Sequence, residues 1–394
     1  MSSAGRMYDN RLDRLTSAVQ SRIDARHIPG VAMLVARDDE VVYQQALGLR
    51  DPARGTPMTM DTIFRIYSMT KPIVSVAIMM LVEEGRLLIS DPIAKYFPAL
   101  DRLQVGIEKT DYQGRKRLEL VPAERLITIH DLLRHTSGFT YGVFGNSLVK
   151  SEYRRAGVDD LRTTNEQLVR KLVAVPLAHQ PGTMWEYSRS TDVLGALIER
   201  LTGQTLDVFL EQRILKPLGM KDTGFWVPPA KQDRLAEPFA LDPDTGQSVK
   251  LIEVRSKPPF LSAGGGMVST VADYLRFVRM LYNQGELEGA RLLSRKTVHY
   301  MTSDHLAALP GAAAHPDFLA GPGYGFGLGF AVRTQAGTAA IPGSIGDYHW
   351  SGLGGTYFWV DPQEKLLAIW MMQAPEQRAY YRQLYRNLVY AALE

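Results

Sequence analysis

The spacing of apolar residues divides the N-terminal part of the chain into a helix, a hairpin and a second helix. Residues 11–28 predict an amphipathic helix, because apolar residues recur on one face at the helical period. These residues are Leu12, Leu15, Val19 and Ile23. The apolar runs 31–36 and 41–47 flank a charged tetrapeptide, a pattern that predicts a β-hairpin. The apolar segment 73–82 again repeats at helical spacing and predicts a second helix.

The middle of the chain is mostly helical in pattern. A charged, irregular stretch at 101–126 predicts a surface excursion with a small hairpin around Gln113 and Gly114. Thr128 has Asp131 three residues further on and is therefore a possible N-cap for the helix that follows. The helices predicted here are residues 128–135, 164–173, 192–201 and 205–214.

Strand patterns return after residue 238, and they decide the predicted architecture. Helices are predicted at 269–282, 294–301 and 378–393, and strands at 324–332, 356–360 and 366–372. Hairpins rather than helical crossovers join the strands, so the sheet should be antiparallel. We predict an α+β fold in which residues 1–75 and 240–394 form one domain around this sheet, and residues 76–239 form a mostly helical inserted domain. A pocket between two such parts is a natural ligand site.

Composition and charge exclude several classes of protein. The 394 residues include 45 basic and 42 acidic ones, so the formal net charge is only +3, and no basic stripe with interleaved aromatic residues predicts a nucleic-acid partner. The absence of cysteine excludes disulfides, thiol catalysis and cysteine-bound zinc. The longest apolar run, 73–82, is shorter than the ~20 residues that span a bilayer. We expect a cytoplasmic protein without a membrane partner and predict no oligomeric state.

The first candidate chemistry lies at the start of the second helix. Ser68 and Lys71 are three residues apart, a spacing that puts two side chains next to each other on a helix. Lys71 is then a candidate base for a nucleophilic serine, although neutralising a lysine at pH 7 costs about 4–5 kcal/mol. Burial and a neighbouring cation can lower a lysine pKa by that much. The alternative is a helix cap followed by an exposed lysine.

Other catalytic motifs are absent from the chain. Neither Gly-x-Ser-x-Gly nor His-Glu-x-x-His occurs, and His130 and His135 do not share a helical face. We therefore expect no metal site and no cofactor. A tyrosine that shares a proton with Lys71 would lower the demand on the lysine. Tyr187, just before the predicted helix 192–201, is suitably placed for this role, and ordinary packing is the alternative.

The segment around Ser68 and Lys71 resembles the active-serine motif of class C β-lactamases, penicillin-binding proteins and family VIII carboxylesterases. Further segments are similar to motifs of these families and occur in the same order, at residues 132–138, 181–188, 324–329 and 349–356. The resemblance implies the serine β-lactamase-like fold. It also implies that Ser68 is the nucleophile, that Lys71 and Tyr187 are the acid/base pair, and that the backbone N–H groups of Ser68 and Leu353 form the oxyanion hole.

Two departures from the β-lactamase pattern concern the substrate. The lactamases carry Lys-Thr-Gly where this chain has Trp350, Ser351 and Gly352, and tryptophan offers an apolar face and one N–H donor in place of a cation. This substitution resembles the esterase branch and favours uncharged carboxylic esters of short to medium acyl chain. Arg189 stands where the lactamases commonly place asparagine. It either attracts an anion or pairs with an acid nearby.

The expected activity is that of a serine carboxylesterase that acts on a small ester through an acyl-enzyme on Ser68. Besides Trp350, Ser351, Gly352 and Arg189, the substrate-contact candidates are Phe139, Tyr141, Phe144 and His349, for all of which packing is the alternative. Rival activities are those of a β-lactamase or D-alanyl-D-alanine carboxypeptidase and of an amidase or acyltransferase with the same fold. A further rival is a sensor module that is acylated without turnover.

Overall fold

The computed structural model of the chain describes residues 7–309, 311 and 318–394. The helices are α1 (Asp9–Asp24), α2 (Thr70–Glu83), α3 (Ile129–Leu133), α4 (Leu148–Arg155), α5 (Asn165–Val173), α6 (Ser190–Thr202), α7 (Leu206–Leu210), α8 (Val271–Tyr282), α9 (Arg295–Met301) and α10 (Arg378–Ala391). The strands are β1 (Gly30–Arg37), β2 (Glu40–Asp51), β3 (Thr56–Pro57), β4 (Phe64–Arg65), β5 (Gln104–Thr110), β6 (Lys116–Pro122), β7 (Val268–Ser269), β8 (Glu286–Leu287), β9 (Ala290–Arg291), β10 (Tyr324–Phe326), β11 (Ala331–Arg333), β12 (Tyr348–Ser351), β13 (Tyr357–Asp361) and β14 (Leu366–Met372).

Both ends of the chain contribute to one eight-stranded antiparallel sheet. Its strand order is β10-β11-β12-β13-β14-β1-β2-β3. The N-terminal strand β1 lies between the C-terminal strand β14 and β2, so that Met33 is opposite Trp370 on one side and Gln45 on the other. The predicted antiparallel sheet and the predicted hairpin of β1 and β2 are both confirmed.

Both faces of β1 are covered, which explains why this strand is apolar from Val31 to Ala36. Its odd-numbered residues, such as Val31 and Met33, pack with α1 and α10 in one buried cluster. Its even-numbered residues, such as Ala32 and Leu34, pack in a second cluster with α2, α8 and the helical part of the chain. A strand buried on both sides loses the alternation of apolar and polar residues that a half-exposed strand shows.

The helical part of the chain is centred on α6, which packs against α2, α3, α5 and α7. The small hairpin predicted around Gln113 is present as β5 and β6, which pair from Gln104 to Pro122. The predicted domain boundary at residue 75 falls inside α2, and the division into two domains stays a prediction. None of the helices in the described part of the chain is long and apolar enough to cross a bilayer.

The helix predicted at 11–28 ends at Asp24, and two other predicted elements are divided in the structure. The run 324–332 was predicted as one strand but forms β10 and β11 with a turn between them. Gly329 adopts a φ of +96°, and a Cβ on Gly327 would collide with the carbonyl oxygen of Met301. The predicted helix 205–214 consists of α7 and a π-helical turn, Glu211–Leu215.

Candidate active site

Ser68 lies in a 3₁₀ turn, Tyr67–Met69, that runs directly into α2. The preceding residue, Tyr67, has a φ of +44°, which is uncommon for a residue other than glycine. Its phenol oxygen accepts a hydrogen bond of 3.0 Å from the Ile252 backbone N–H. Lys71 is in the first turn of α2 and is buried, and its Nζ lies 3.3 Å from Ser68 Oγ. The two side chains are therefore direct neighbours.

The amine of Lys71 is held by groups from separate parts of the chain. Its Nζ donates to the Gly264 carbonyl oxygen at 2.5 Å and to Tyr141 Oη at 3.1 Å. It also lies 4.5 Å from the centre of the Tyr187 ring. Lys71 consequently contacts the serine and both tyrosines.

The pKa of Lys71 is shifted in the opposite direction to the one that a neutral lysine base would need. Burial by itself lowers the pKa of Lys71, but Tyr141, Tyr187 and Asp192 outweigh this effect and raise the pKa above its ordinary value. The lowered pKa that a neutral lysine base requires is therefore not found. Burial also raises the pKa of Tyr141, to about 12. The directions of these two shifts favour the ammonium form of Lys71 and the neutral phenol of Tyr141.

Tyr187 lies in the turn before α6 and is fixed by neighbouring aromatic residues. Its ring stacks on Trp185 with centres 5.9 Å apart and an interplanar angle of 13°. The Trp350 indole, on β12, donates from Nε1 to Tyr187 Oη at 3.3 Å. The indole therefore contacts the tyrosine that was predicted as the partner of Lys71.

A cavity of about 620 Å³ opens in front of these groups. The candidates that line it are Ser68, Phe144, Tyr187, His349, Trp350, Ser351, Gly352 and Leu353. Lys71 and Tyr141 do not line the cavity, and Lys71 contacts both Ser68 Oγ and Tyr141 Oη. Phe139 is fully buried in the core and does not line the cavity, which agrees with the packing alternative.

Arg189 is also absent from the cavity wall, because two acidic side chains hold it. Its guanidinium contacts Asp159 Oδ1 at 2.8 Å and Asp192 Oδ2 at 3.2 Å. Asp192 Oδ1 in turn accepts hydrogen bonds from the Gly264 backbone N–H at 2.8 Å and from Ser262 Oγ at 2.7 Å. Arg189 thus pairs with acids, and the pair secures the loop whose carbonyl group receives the Lys71 amine.

Leu353 is at the end of β12, in the turn that leads to β13. The adjacent Gly352 packs so closely on the backbone before Ser68 that a Cβ would collide with the Ile66 carbonyl oxygen. Thr356 Oγ1 also donates to that oxygen, at 3.3 Å. The Leu353 N–H makes no hydrogen bond to any residue the structure describes. These contacts hold an unpaired backbone donor near the turn that carries Ser68.

Several cavity residues were not found from the sequence. Arg378 and Arg382 reach the cavity from α10, and the ion pair of Lys150 and Glu186 (3.2 Å) lines another part of it. The four-residue spacing of the two arginines on the closing helix is visible in the sequence. It indicates one shared face, but not that this face borders the site.

Three histidines of the described chain contact one another or a serine. His130 Nε2 lies 2.8 Å from His305 Nδ1, and His135 Nδ1 lies 3.1 Å from Ser188 Oγ. Within residues 7–309, 311 and 318–394, no group of three or more histidine or acidic side chains could hold a metal ion.

Asp131 anchors the loop that supports Tyr187 from behind. It is fully buried, and it forms a capping box with Thr128 at the start of α3, as the sequence predicted for this helix start. It also pairs with Arg125 at 2.6 Å and accepts from Thr136 Oγ1 at 2.9 Å. Burial would raise the pKa of Asp131, but bonds from Arg125 and Thr128 outweigh it and lower the pKa to about 2.

Replacing Asp131 with asparagine is expected to lower the free energy of unfolding at pH 7 by about 1–3 kcal/mol, because buried donors lose their charged acceptor. The pKa of Asp131 falls from an ordinary 3.8 to about 2 on folding. Its stabilisation is therefore complete above about pH 4 and disappears as the pH falls towards 2. Urea unfolding at a series of pH values should show a steeper loss between pH 4 and 2 in the wild type than in the variant.

The matched control for this prediction is Asp160→Asn, which removes a carboxylate that pairs with the exposed Arg162. Surface ion pairs contribute little, about 0–1 kcal/mol. Equal losses of stability in the two variants would contradict the role given to Asp131.

The comparisons with known proteins identify the family. The beta-lactamase family model matches residues 15–392. The chain belongs to the beta-lactamase family. Protein Rv1367c of Mycobacterium tuberculosis is 35% identical over 370 residues, which cover 92% of this chain and 90% of the relative. Esterase EstB of Burkholderia gladioli is 32% identical over 371 residues, which cover 88% of this chain and 86% of EstB.

Among solved structures, this beta-lactamase family member is similar to EstCE1, described as a hydrolase with promiscuous acyltransferase activity. The TM-score is 0.79 and the sequence identity 27%, over 97% of this chain and 99% of EstCE1. The resemblance drawn from the motifs and the predicted serine β-lactamase-like fold are thereby confirmed. Because EstB carries the name of an esterase, the family includes ester hydrolysis among its activities.

Proposed function

We propose that this beta-lactamase family protein is a serine carboxylesterase, with Ser68 as nucleophile and Lys71 and Tyr187 as the acid/base pair. The observation that carries the proposal is the position of the Lys71 amine. It lies 3.3 Å from Ser68 Oγ and 4.5 Å from the centre of the Tyr187 ring. Nucleophilic catalysis requires an acid/base group beside the hydroxyl, and the Lys71 amine lies beside both Ser68 and the proposed proton carrier, Tyr187.

In the proposed acylation step, Tyr187 enters as a phenolate, and Ser68 Oγ attacks the ester carbonyl carbon while its proton moves to Tyr187 Oη. Lys71 keeps its own proton, in line with its raised pKa. Its ammonium group lies 4.5 Å from the centre of the Tyr187 ring, and the Trp350 N–H donates to Tyr187 Oη at 3.3 Å. The carbonyl oxygen becomes an oxyanion, for which the Ser68 and Leu353 N–H groups are the proposed donors. One such donor is worth about 2.7–4 kcal/mol.

The tetrahedral intermediate then collapses to the acyl-enzyme. The bond from the carbonyl carbon to the alcohol oxygen breaks, and Tyr187 Oη returns its proton to the departing alcohol. In the second half of the cycle, water attacks the Ser68 ester and gives its proton to Tyr187. Cleavage of the Ser68 ester releases the acid, and the hydroxyl of Ser68 regains a proton from Tyr187.

Two features favour esters over β-lactams. Trp350 occupies the position of the lysine in Lys-Thr-Gly, and Arg189 is occupied by Asp159 and Asp192. The relative EstB is an esterase by name. Trp-x-Gly at residues 350–352 is the feature that supports the family VIII branch of carboxylesterases in this proposal.

Parallel assays with p-nitrophenyl butyrate and nitrocefin test the substrate class. We expect kcat/KM for the ester to exceed that for the β-lactam by at least about 100-fold, a difference of about 2.7 kcal/mol. Equal efficiencies, or a preference for nitrocefin, would replace the esterase proposal with the β-lactamase alternative.

A second candidate function is acyl transfer to an alcohol. EstCE1 is described as having promiscuous acyltransferase activity, and a cavity of about 620 Å³ leaves room for an acceptor beside the acyl group. Adding a primary alcohol to the ester assay should divert part of the acyl group into a new ester. If only free acid forms at every alcohol concentration, transfer is excluded.

A further inference from the structure

A second cavity lies next to the cavity in front of Ser68. Its volume is about 500 Å³, and it is lined by β5, the start of α4 and the segment 178–180. Two residues, Lys150 and Glu186, line both this second cavity and the first one, of about 620 Å³. The two cavities therefore share a wall, and the Lys150–Glu186 ion pair is part of that wall.

The ion pair closes the wall at this point. Lys150 Nζ lies 3.2 Å from Glu186 Oε1, and the two side chains are only 12% and 7% exposed. Gly145, which lines the first cavity, is also close, because a Cβ added to it would lie 3.4 Å from Lys150 Nζ. A substrate chain cannot pass between two side chains that are in contact, so the pair separates the first cavity from the second.

The backbone that carries Lys150 is fixed at the start of α4. Ser147 Oγ accepts a hydrogen bond of 3.1 Å from the Lys150 backbone N–H, which caps the helix. Glu108 Oε1, on β5, accepts a hydrogen bond of 2.5 Å from the Leu148 backbone N–H. Since the backbone is held on both sides, the width of the passage depends on the side chain at position 150.

Glu186 is held by more groups than Lys150 is. Thr140 Oγ1 donates to Glu186 Oε1 at 2.5 Å, and His179 Nε2 lies 3.7 Å from Glu186 Oε2. Burial by itself raises the pKa of Glu186, but hydrogen bonds from His179 and Thr140 and the charge of Lys150 outweigh it and lower the pKa to about 2. Within the described residues, Lys150 forms an ion pair with Glu186 alone. A change at Lys150 therefore leaves Glu186 with two of its three partners.

The second cavity suits an apolar chain. Its apolar lining residues are Val105, Ile107, Val149 and Ala178. The polar groups beside them are already paired within the protein: Glu108 with Lys116 at 3.3 Å, and Gln180 Nε2 with the Pro122 carbonyl oxygen at 3.2 Å. A mostly apolar space of this size is typical of a site for a small organic group.

We propose that Lys150 sets the chain length of the substrate, because the bulk of its side chain closes the first cavity towards the second. Esters whose apolar chain fits the first cavity are then the preferred substrates, and shortening the side chain at position 150 would let a longer chain extend into the second cavity. The inference rests on the proposed esterase function and deepens it, since it names the residue that limits the substrate to short and medium chains.

Two series of esters test this proposal, each measured below the concentration at which the ester aggregates. The acyl chain differs in the first, p-nitrophenyl butyrate against p-nitrophenyl decanoate, and the alcohol differs in the second, butyl butanoate against decyl butanoate. The readout is the ratio of kcat/KM for the long ester to that for the short one. Lys150→Ala should raise this ratio at least about tenfold over the wild type in one series, equivalent to about 1.4 kcal/mol, because more apolar surface leaves water.

Three further variants distinguish the bulk of the side chain from its charge. Lys150→Met keeps a side chain of similar length without the charge, so its ratio should stay within about threefold of the wild type. Adding Ala178→Leu to Lys150→Ala fills the second cavity from its other side and should remove most of the gain. The control is Lys296→Ala, at an exposed lysine on α9 outside both cavity linings, which should leave the ratio unchanged.

Several results would overturn the proposal. If Lys150→Ala and Lys150→Met lower hydrolysis of long and short esters equally, Lys150 only holds Glu186 beside Tyr187. An equal rise of the ratio in Lys150→Met would contradict closure by bulk, and a gain that survives Ala178→Leu would show that the chain does not enter the second cavity. A wild type that already prefers the long ester in both series also contradicts it.

A binding measurement separates failure of this proposal from failure of the esterase proposal. If the wild type hydrolyses none of the four esters, the proposed function is wrong. Calorimetric titration of the Ser68→Ala protein, with and without Lys150→Ala, still decides on chain length. A gain in affinity for a long ester alone on adding Lys150→Ala supports the role of Lys150, whereas equal changes for both members of each series, or undetectable binding, overturn it.

Discussion

Replacing Ser68 with alanine is expected to lower kcat for p-nitrophenyl butyrate by at least about 10⁴-fold, because the variant has no atom that can attack the ester. The 3₁₀ turn and α2 should remain intact, since the hydroxyl of Ser68 is a hydrogen-bond partner only of Lys71 in the described structure. Steady-state kinetics of the two proteins measures the fall in kcat, and thermal unfolding shows whether the fold is retained.

The matched control for Ser68 is Ser17→Ala. Ser17 is an exposed serine on α1 whose hydroxyl donates only to the Asp13 carbonyl oxygen, at 2.9 Å. Its removal should leave kcat within about twofold of the wild type. If Ser68→Ala retains the activity of this control on every ester, another residue is the nucleophile.

The second large effect is expected for Tyr187→Phe, which should lower kcat by about 10²–10⁴-fold through loss of the proton-transfer group. The ring that stacks on Trp185 stays in place, so folding should be preserved. Substrate binding should also change little, and KM is expected within about threefold of the wild type. The measurement is kcat and KM for p-nitrophenyl butyrate together with the unfolding temperature.

Tyr112→Phe is the control for Tyr187, because the Tyr112 side chain is 94% exposed at the tip of the β5–β6 hairpin. Near-wild-type turnover by Tyr187→Phe would refute its role as the proton carrier. A fall in unfolding temperature large enough to account for the fall in kcat would instead assign Tyr187 a structural role.

Elements that are specified by a short stretch of sequence, such as the following, were predicted with nearly their observed bounds. The hairpin of β1 and β2 has two apolar runs around a charged turn, and α3 and α8 begin after threonine N-caps, Thr128 and Thr270. The strand predicted at 324–332 failed because its interruption depends on a distant segment. The close approach of Gly327 to the Met301 carbonyl oxygen is not visible in a local pattern.

The candidate site likewise has features that could be predicted from the sequence and features that could not. The proximity of Ser68 and Lys71 follows from helical geometry, and Tyr187 was predicted from its place before the helix 192–201 and from the resemblance to known families. The surroundings of Lys71 could not be predicted, because Gly264 and Tyr141 reach it from segments far away in sequence. Their effect on its pKa was missed for the same reason.

The two cavity arginines show a further limit of sequence analysis. Their spacing on α10 indicates a shared face, but only the fold of the whole chain brings that face to the site. The structure places Arg382 beside the strand that carries Trp350.

The central claim is that Ser68 carries the acyl group, and the most direct measurement is mass spectrometry of protein quenched in acid during turnover of p-nitrophenyl butyrate. With so activated an ester, acylation is fast and the acyl-enzyme accumulates. The account predicts one butyryl group on the peptide that contains Ser68 and none in the Ser68→Ala protein. A butyryl group on a different residue, or turnover by the wild type with no acylated peptide at any time, would contradict it.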